Sequence, residues 1–135
     1  MRFGMIGDIV GKIGRKQVAH YLPQAKEEFA LDFVVANGEN ASHGFGLSIS
    51  CVQELQEVGV NVFTGGNHIW DKKDIFPLLA LKNSNVLRPH NYPQASGQGI
   101  TQSRLLLFYC FRSGITRLQQ HVGEYHPWSR HTQII

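Results

Sequence analysis

The chain has 135 residues with 42% hydrophobic and 17% charged side chains, ordinary totals for one globular domain able to bury a core. No run approaches the roughly 20 apolar residues that cross a bilayer, so no membrane partner is expected. The formal net charge of +3 is unevenly spread: residues 1–99 hold nine Lys and Arg against nine Asp and Glu, while residues 100–135 hold four Arg, no Lys and only Glu124.

Met1 to Asp8 is too short and too soon acidic for a secretory signal, and the two cysteines, Cys51 and Cys110, make no disulfide framework. Both points lead to an expectation of a cytoplasmic protein with reduced thiols. Asn40-Ala41-Ser42 matches a glycosylation sequon, which without a signal peptide is expected to be chance.

Arg2 to Gly7 reads as a short buried strand ended by Asp8, with Phe3, Met5 and Ile6 apolar. A glycine-punctuated loop, Asp8 to Gly14, leads to a helix expected from Gly14 or Arg15 with Val18, Ala19 and Leu22 on one face. Pro23 is expected to interrupt it and to open a second short helix. Asp32 to Asn37 is a second buried strand, ending at Gly38-Glu39-Asn40. Ala41 to Leu47 is a loop. Ser48 then caps a helix to Val58 with Ile49, Val52 and Leu55 inward and Gly59 as its stop.

Val60 to Phe63 is a third strand, followed by Gly65-Gly66-Asn67-His68-Ile69-Trp70-Asp71. Asp71 is expected to cap a helix through Leu81, with Asp74 near its positive end and Pro77 as a kink or break. Asn85 to Leu87 is a candidate fourth strand, and Arg88 to Pro93 is irregular. Strand and helix alternating three times over about ninety residues predict an α/β fold of βαβ units with a mostly parallel sheet.

In such sheets ligands sit outside the carboxyl ends of the strands. Asp8, Glu39-Asn40 and Asn67-His68 each follow an apolar run beside glycine, so all three would share one rim. Any one of them taken alone reads as an ordinary polar loop residue. Carboxylates, amides and an imidazole together suit a divalent metal. Two cations about 3.5–4 Å apart, bridged by a carboxylate such as Glu39, lower the pKa of a bridging water and clamp a phosphoryl group. An imidazole free of coordination can protonate the leaving oxygen, and His68 is the candidate. Other phosphate motifs fail: Gly7 to Lys12 is one residue short of a P-loop, and Gly11-Lys12-Ile13-Gly14 is not a dinucleotide fingerprint.

Gly7-Asp8-Ile9-Val10-Gly11, Ala36-Asn37-Gly38-Glu39-Asn40-Ala41 with His43-Gly44-Phe45-Gly46, and Gly66-Asn67-His68-Ile69-Trp70-Asp71 resemble the calcineurin-like metallophosphoesterases. The resemblance is to the bacterial YmdB-like branch, regarded as 2′,3′-cyclic-nucleotide 2′-phosphodiesterases. It covers roughly residues 1–99, including Arg88-Pro89 and Asn91-Tyr92-Pro93, and implies the first half of a metallophosphoesterase α/β sandwich. It implies that Asp8, Glu39, Asn40 and Asn67 are ligands of two divalent ions, iron or manganese, with Glu39 bridging and His68 as proton donor. It also implies a cyclic-nucleotide or phosphodiester substrate, a link to RNA turnover and developmental regulation, and homo-oligomers among full-length relatives. His43 either positions substrate phosphate or is a solvated loop residue. Trp70 is expected to pack under the motif rather than stack on a base, and no matched role falls to His20 or His90.

Relatives in that branch supply three further histidine ligands from a later half. After Gln98-Gly99-Ile100 the resemblance ends, giving a division into residues 1–99 and a divergent tail, 100–135, whose change of composition suggests a frameshifted or truncated reading. On that reading the activity of this chain is expected to be weak or absent. Leu105 to Phe111 is expected to add a strand or pack on the first sheet; with the second half missing, an open edge and an uncovered apolar face are expected to favour aggregation. His121, His126 and His131 recur every five residues, a spacing that does not share a helix face and is read as accidental. Two alternatives are a non-catalytic metal- or nucleotide-binding fragment, and an RNA-binding protein acting through the basic tail.

Overall fold

The computed structural model describes residues 1–103, 106–110 and 117–120; the expectations for His121, His126 and His131, and for the basic tail beyond residue 120, lie outside them. Strands β1 (Phe3–Asp8), β2 (Phe33–Asn37), β3 (Val62–Thr64) and β4 (Val86–Leu87) form a parallel sheet in chain order. Helices α1 (Gly11–Glu28) and α2 (Ile49–Glu57), then a 3₁₀ turn (Lys73–Ile75) running into the short α3 (Phe76–Leu79), make the crossovers. The predicted α/β fold is the one observed. Three strands, β5 (Ile100–Ser103), β6 (Leu106–Tyr109) and β7 (Arg117–Gln120), form a separate antiparallel sheet, so the strand expected within Leu105 to Phe111 joins that sheet.

Alternation along the parallel strands divides the core. Val34, Ala36, Phe63 and Val86 pack with Leu22 of α1, Cys51, Val52 and Leu55 of α2, and Ile69, Ile75 and Leu79. Val35, Val62 and Leu87 point the other way, where Cys110 covers them together with Phe3 and Phe33. Helices therefore occupy one face, and Cys110, just after β6, reaches the opposite one. Cys110 is stitched there by its amide to the Gly99 carbonyl, 3.1 Å, and by its thiol, which donates to the Gly65 carbonyl at 3.2 Å. Burial pushes the Cys110 thiol up to about 11.

Several element expectations are corrected. β1 is an edge of the parallel sheet among the described residues rather than a buried strand, and Met5 is 40% exposed. Helix α1 starts at Gly11 and runs unbroken through Pro23. Pro23 lies on the exposed side, where the carbonyl that loses its helical donor can turn to water, while Leu22 stays buried. The third strand is Val62–Thr64, two residues later than its expected start.

Asp71 caps no helix. The segment after it bends and forms only the 3₁₀ turn and α3, with Pro77 in the first turn of α3 where its missing N–H costs nothing. Asp74 accepts from the Ile49 amide at 3.0 Å, so its charge serves the start of α2 rather than its own helix. Ser48 does cap α2, accepting from the Cys51 amide at 3.3 Å, and Gly59 beyond its end takes a left-handed φ of +108°. Among the described residues no helix is long and apolar enough to cross a membrane.

Candidate metal centre

The parallel register sets Asp8 against Asn37, and Asn37 against Thr64, so three strands end at one level. Backbone bonds lock these ends together: the Ile9 amide donates to the Asn37 carbonyl at 3.0 Å, and the Gly38 amide to the Thr64 carbonyl at 3.0 Å. The Glu39 amide donates to the Asn37 side-chain oxygen, 3.0 Å, which fixes the turn that follows β2. Gly11, at φ +57°, adopts a conformation that side chains disfavour, and its amide reaches the Asn40 carbonyl at 2.9 Å. The loops after β1 and β2 are thereby held side by side.

Onto this rim the sequence places its polar side chains. The Asn40 amide nitrogen donates to an Asp8 carboxylate oxygen at 2.8 Å. Glu39 sends one carboxylate oxygen, Oε2, into a buried position where no hydrogen-bond donor meets it. That oxygen lies against Gly66: a Cβ built on Gly66 would fall 1.4 Å from it. Glycine is thus required at 66 because the carboxylate of Glu39 occupies the space of a side chain. Burial, and next the Asp8 charge, raise the Glu39 carboxyl above its usual range, and His68 acts in the opposite sense. A buried carboxylate oxygen without a donor calls for a cation or a proton.

Asn67 and His68 follow Gly66 at the mouth of the same rim, Asn67 exposed and His68 partly so. His68 Nδ1 lies 2.7 Å from an Asp71 carboxylate oxygen. A carboxylate only accepts, so Nδ1 carries the proton in that bond and Nε2 is left for other work. The Phe45 ring meets the His68 ring edge-on at a centroid distance of 5.3 Å. Asp71 is a candidate site residue that sequence reasoning placed elsewhere; its signal was the three-residue spacing to His68, which a one-turn bend can close.

The remaining candidates make other contacts. His43 is exposed on the loop after β2, at φ +58° with Nδ1 3.4 Å from the Ser42 hydroxyl. His20 is exposed on α1 against Tyr21. Trp70 packs against the core cluster, meets Tyr92 edge-on and donates from its indole to the Ser96 carbonyl at 2.9 Å, which is the packing role expected of it.

Among the described residues no group of three or more His, Cys, Asp and Glu comes together as a ready metal site. The donors at this rim are two carboxylates supplemented by amides, a hard oxygen set suited to a divalent ion. The orphaned Glu39 oxygen and the Asp8 carboxylate beside it fit such an ion.

A parallel α/β sheet with carboxylates, amides and an imidazole gathered at its carboxyl rim defines the class: an α/β protein with a polar site beyond its strand ends. Within that class, a model of the YmdB-like protein family matches residues 5–122, and the chain belongs to this family. The match runs beyond residue 99, where the recognisable motifs end. A curated relative, the 2′,3′-cyclic-nucleotide 2′-phosphodiesterase of Bacillus subtilis (strain 168), is 43% identical over 102 residues, 75% of this chain and 38% of its own. The chain therefore spans well under half the length of that relative.

Two solved structures share the fold. A hypothetical protein from Thermus thermophilus superposes with a TM-score of 0.71 at 35% identity, covering 87% of this chain and 43% of that one. A novel phosphatase from Mycoplasma pneumoniae gives 0.67 at 34% identity, with coverages of 78% and 40%.

Proposed function

We propose that this chain carries part of the active site of a metal-dependent phosphoesterase that hydrolyses a phosphodiester, with 2′,3′-cyclic nucleotides as the substrate class. The observation that carries the reading is the Glu39 oxygen, buried without a donor beside Asp8 and opposite Gly66. Relatives named for cyclic-nucleotide phosphodiesterase and phosphatase activity support the reaction class. Asp8, Glu39, Asn40 and Asn67 would hold two divalent ions, iron or manganese. Lewis acidity is the chemistry that such ions supply when bound, acidifying water and offsetting phosphate charge.

The chain's own residues do the rest. Asn40 holds the Asp8 carboxylate in place through its 2.8 Å bond. Asp71 orients His68 by engaging Nδ1 at 2.7 Å, which presents Nε2 to the leaving ribose oxygen. Gly66 leaves the room that Glu39 fills. The cytoplasm, and RNA-derived cyclic phosphates as the source of substrate, belong to the same reading.

The test is metal uptake and turnover by the full chain. Calorimetric titration with manganese is expected to show binding that Asp8→Asn and Glu39→Gln each weaken. Manganese-dependent hydrolysis of 2′,3′-cyclic AMP is expected to fall in His68→Ala while metal uptake persists. A wild-type chain that takes up neither manganese nor iron overturns the proposal. Metal bound with no turnover selects the second reading, a non-catalytic metal-binding fragment, which is favoured because no group of three or more His, Cys, Asp and Glu comes together among the described residues.

A further inference from the structure

Phe45 is a large apolar side chain left 59% exposed. A single exposed phenylalanine is ordinary on a protein surface. Its position is what distinguishes this one. Its ring meets the His68 imidazole edge-on at 5.3 Å, so the apolar surface stands directly beside the side chain assigned to proton transfer.

The loop that carries Phe45 is built to hold it there. The Gly44 amide donates to the Asn40 carbonyl at 3.1 Å, the Phe45 amide to the Ser42 carbonyl at 3.1 Å, and the Ser42 amide to the Gly46 carbonyl at 2.9 Å. His43, Gly44 and Gly46 all take positive φ, at 58°, 87° and 80°. Gly46 packs so closely on the turn after His68 that an added Cβ would lie 3.1 Å from the His68 carbonyl and 3.0 Å from the Lys72 side chain. The chain thus uses three left-handed residues to press this loop on the His68–Asp71 turn while leaving an aromatic ring in solvent. Glycine takes such φ freely, whereas His43 at 58° does not, and a strained position held in a loop points to function.

Resting on the phosphoesterase reading, we propose that Phe45 is the platform on which the nucleobase of the substrate stacks, one ribose away from the phosphate held at the Asp8–Glu39 rim. Every base has a π-face, so such a platform binds nucleotides as a class and gives little discrimination among bases. It separates nucleotide phosphodiesters from base-free ones. The T-shaped contact with His68 covers at most one side of the ring, which leaves a face for the base. The phosphate is positioned by the rim, the base by Phe45, and the ribose between them brings its leaving oxygen toward His68.

The experiment compares ligands with and without a base, in the full chain, by equilibrium binding and by turnover. The wild-type chain is expected to bind adenosine 3′-monophosphate more tightly than glycerol phosphate by about 5- to 150-fold, the worth of one stacked base. Phe45→Ala is expected to erase that difference while leaving glycerol phosphate affinity in place, and Phe45→Trp to retain it. In turnover, Phe45→Ala should raise KM for 2′,3′-cyclic AMP by a similar factor. Equal affinity of the wild type for both ligands, or a base-dependent gain that survives Phe45→Ala, overturns the platform. The phosphoesterase reading fails separately: a base-dependent gain lost in Phe45→Ala, with no hydrolysis at all, leaves Phe45 as a nucleotide-binding residue without that chemistry.

Discussion

At the scale of single residues, the rim combines one strained demand and one prepared one. Glu39 is the demand. Because burial and Asp8 raise its carboxyl, the folded chain holds that proton more tightly than the unfolded chain does. The stability this adds is fully present below the ordinary value of 4.5 and is lost as pH climbs through the raised one. The metal-free wild type should therefore melt at a lower temperature at neutral than at mildly acidic pH, and Glu39→Gln should reduce that difference. Thermal melts of both chains in chelator check it; an unchanged difference refutes the burial argument. His68 is the prepared residue, since Asp71 already holds its Nδ1. Loss of the imidazole in His68→Ala should lower kcat by about 10²–10⁴. Asp71→Asn keeps the ring and an acceptor oxygen but takes the charge out of that hydrogen bond, so a smaller fall of about 10- to 100-fold is expected. Steady-state kinetics on the two variants rank them, and an Asp71→Asn effect as large as that of His68→Ala would show that Asp71 does more than orient.

At the scale of elements, the strand-to-loop turns matter more than the helices. The turn after β3 needs glycine at 66 because the Glu39 carboxylate lies where a Cβ would be. Gly66→Ala must displace one or the other. It should cost about 1–3 kcal/mol in denaturant unfolding and weaken manganese binding together, as overpacking does in a filled site. Stability and metal affinity both unchanged would mean that Glu39 moves away freely. Here the sequence was partly legible. The Gly-Gly before Asn67-His68 signalled a sharp turn from residue chemistry alone, whereas the partner that occupies the glycine's empty side lies 27 residues earlier in the chain. The same limit explains Asp74. Its place three residues after Asp71 suggested service to its own helix, but tertiary packing gives its carboxylate to the Ile49 amide of another.

At the scale of the whole molecule, Arg88 joins the parallel sheet to the irregular segment beyond β4. It is 9% exposed, and its guanidinium donates to the carbonyls of Ala95, Gly97, Pro89 and His90. One planar cation thus satisfies a stretch of chain that forms little ladder of its own. Its amide also bonds to the Gln98 carbonyl at 2.9 Å, next to the parallel bridge of Leu87 to Gln98. Arg88→Ala should destabilise the chain by about 3 kcal/mol or more, because four buried or part-buried carbonyls lose a charged donor at once. Lysine, a point charge without the planar fork, should restore only part of it. Chemical denaturation of the three chains measures this, and full rescue by lysine would show that charge alone suffices.

The sequence by itself determined the alternation of strands and helices, because apolar runs and glycine punctuation are local signals. It also determined which residues are candidates for chemistry, since strand ends in a parallel sheet share one rim whatever their separation in the chain. Tertiary structure decided the rest. It made β1 an edge and kept α1 whole through Pro23, both matters of which side faces solvent. It turned Asp71 from a helix cap into the anchor of His68, and it left one oxygen of Glu39 buried without a donor. Those last two are questions of what stands opposite a side chain across space, and a linear pattern holds no record of that.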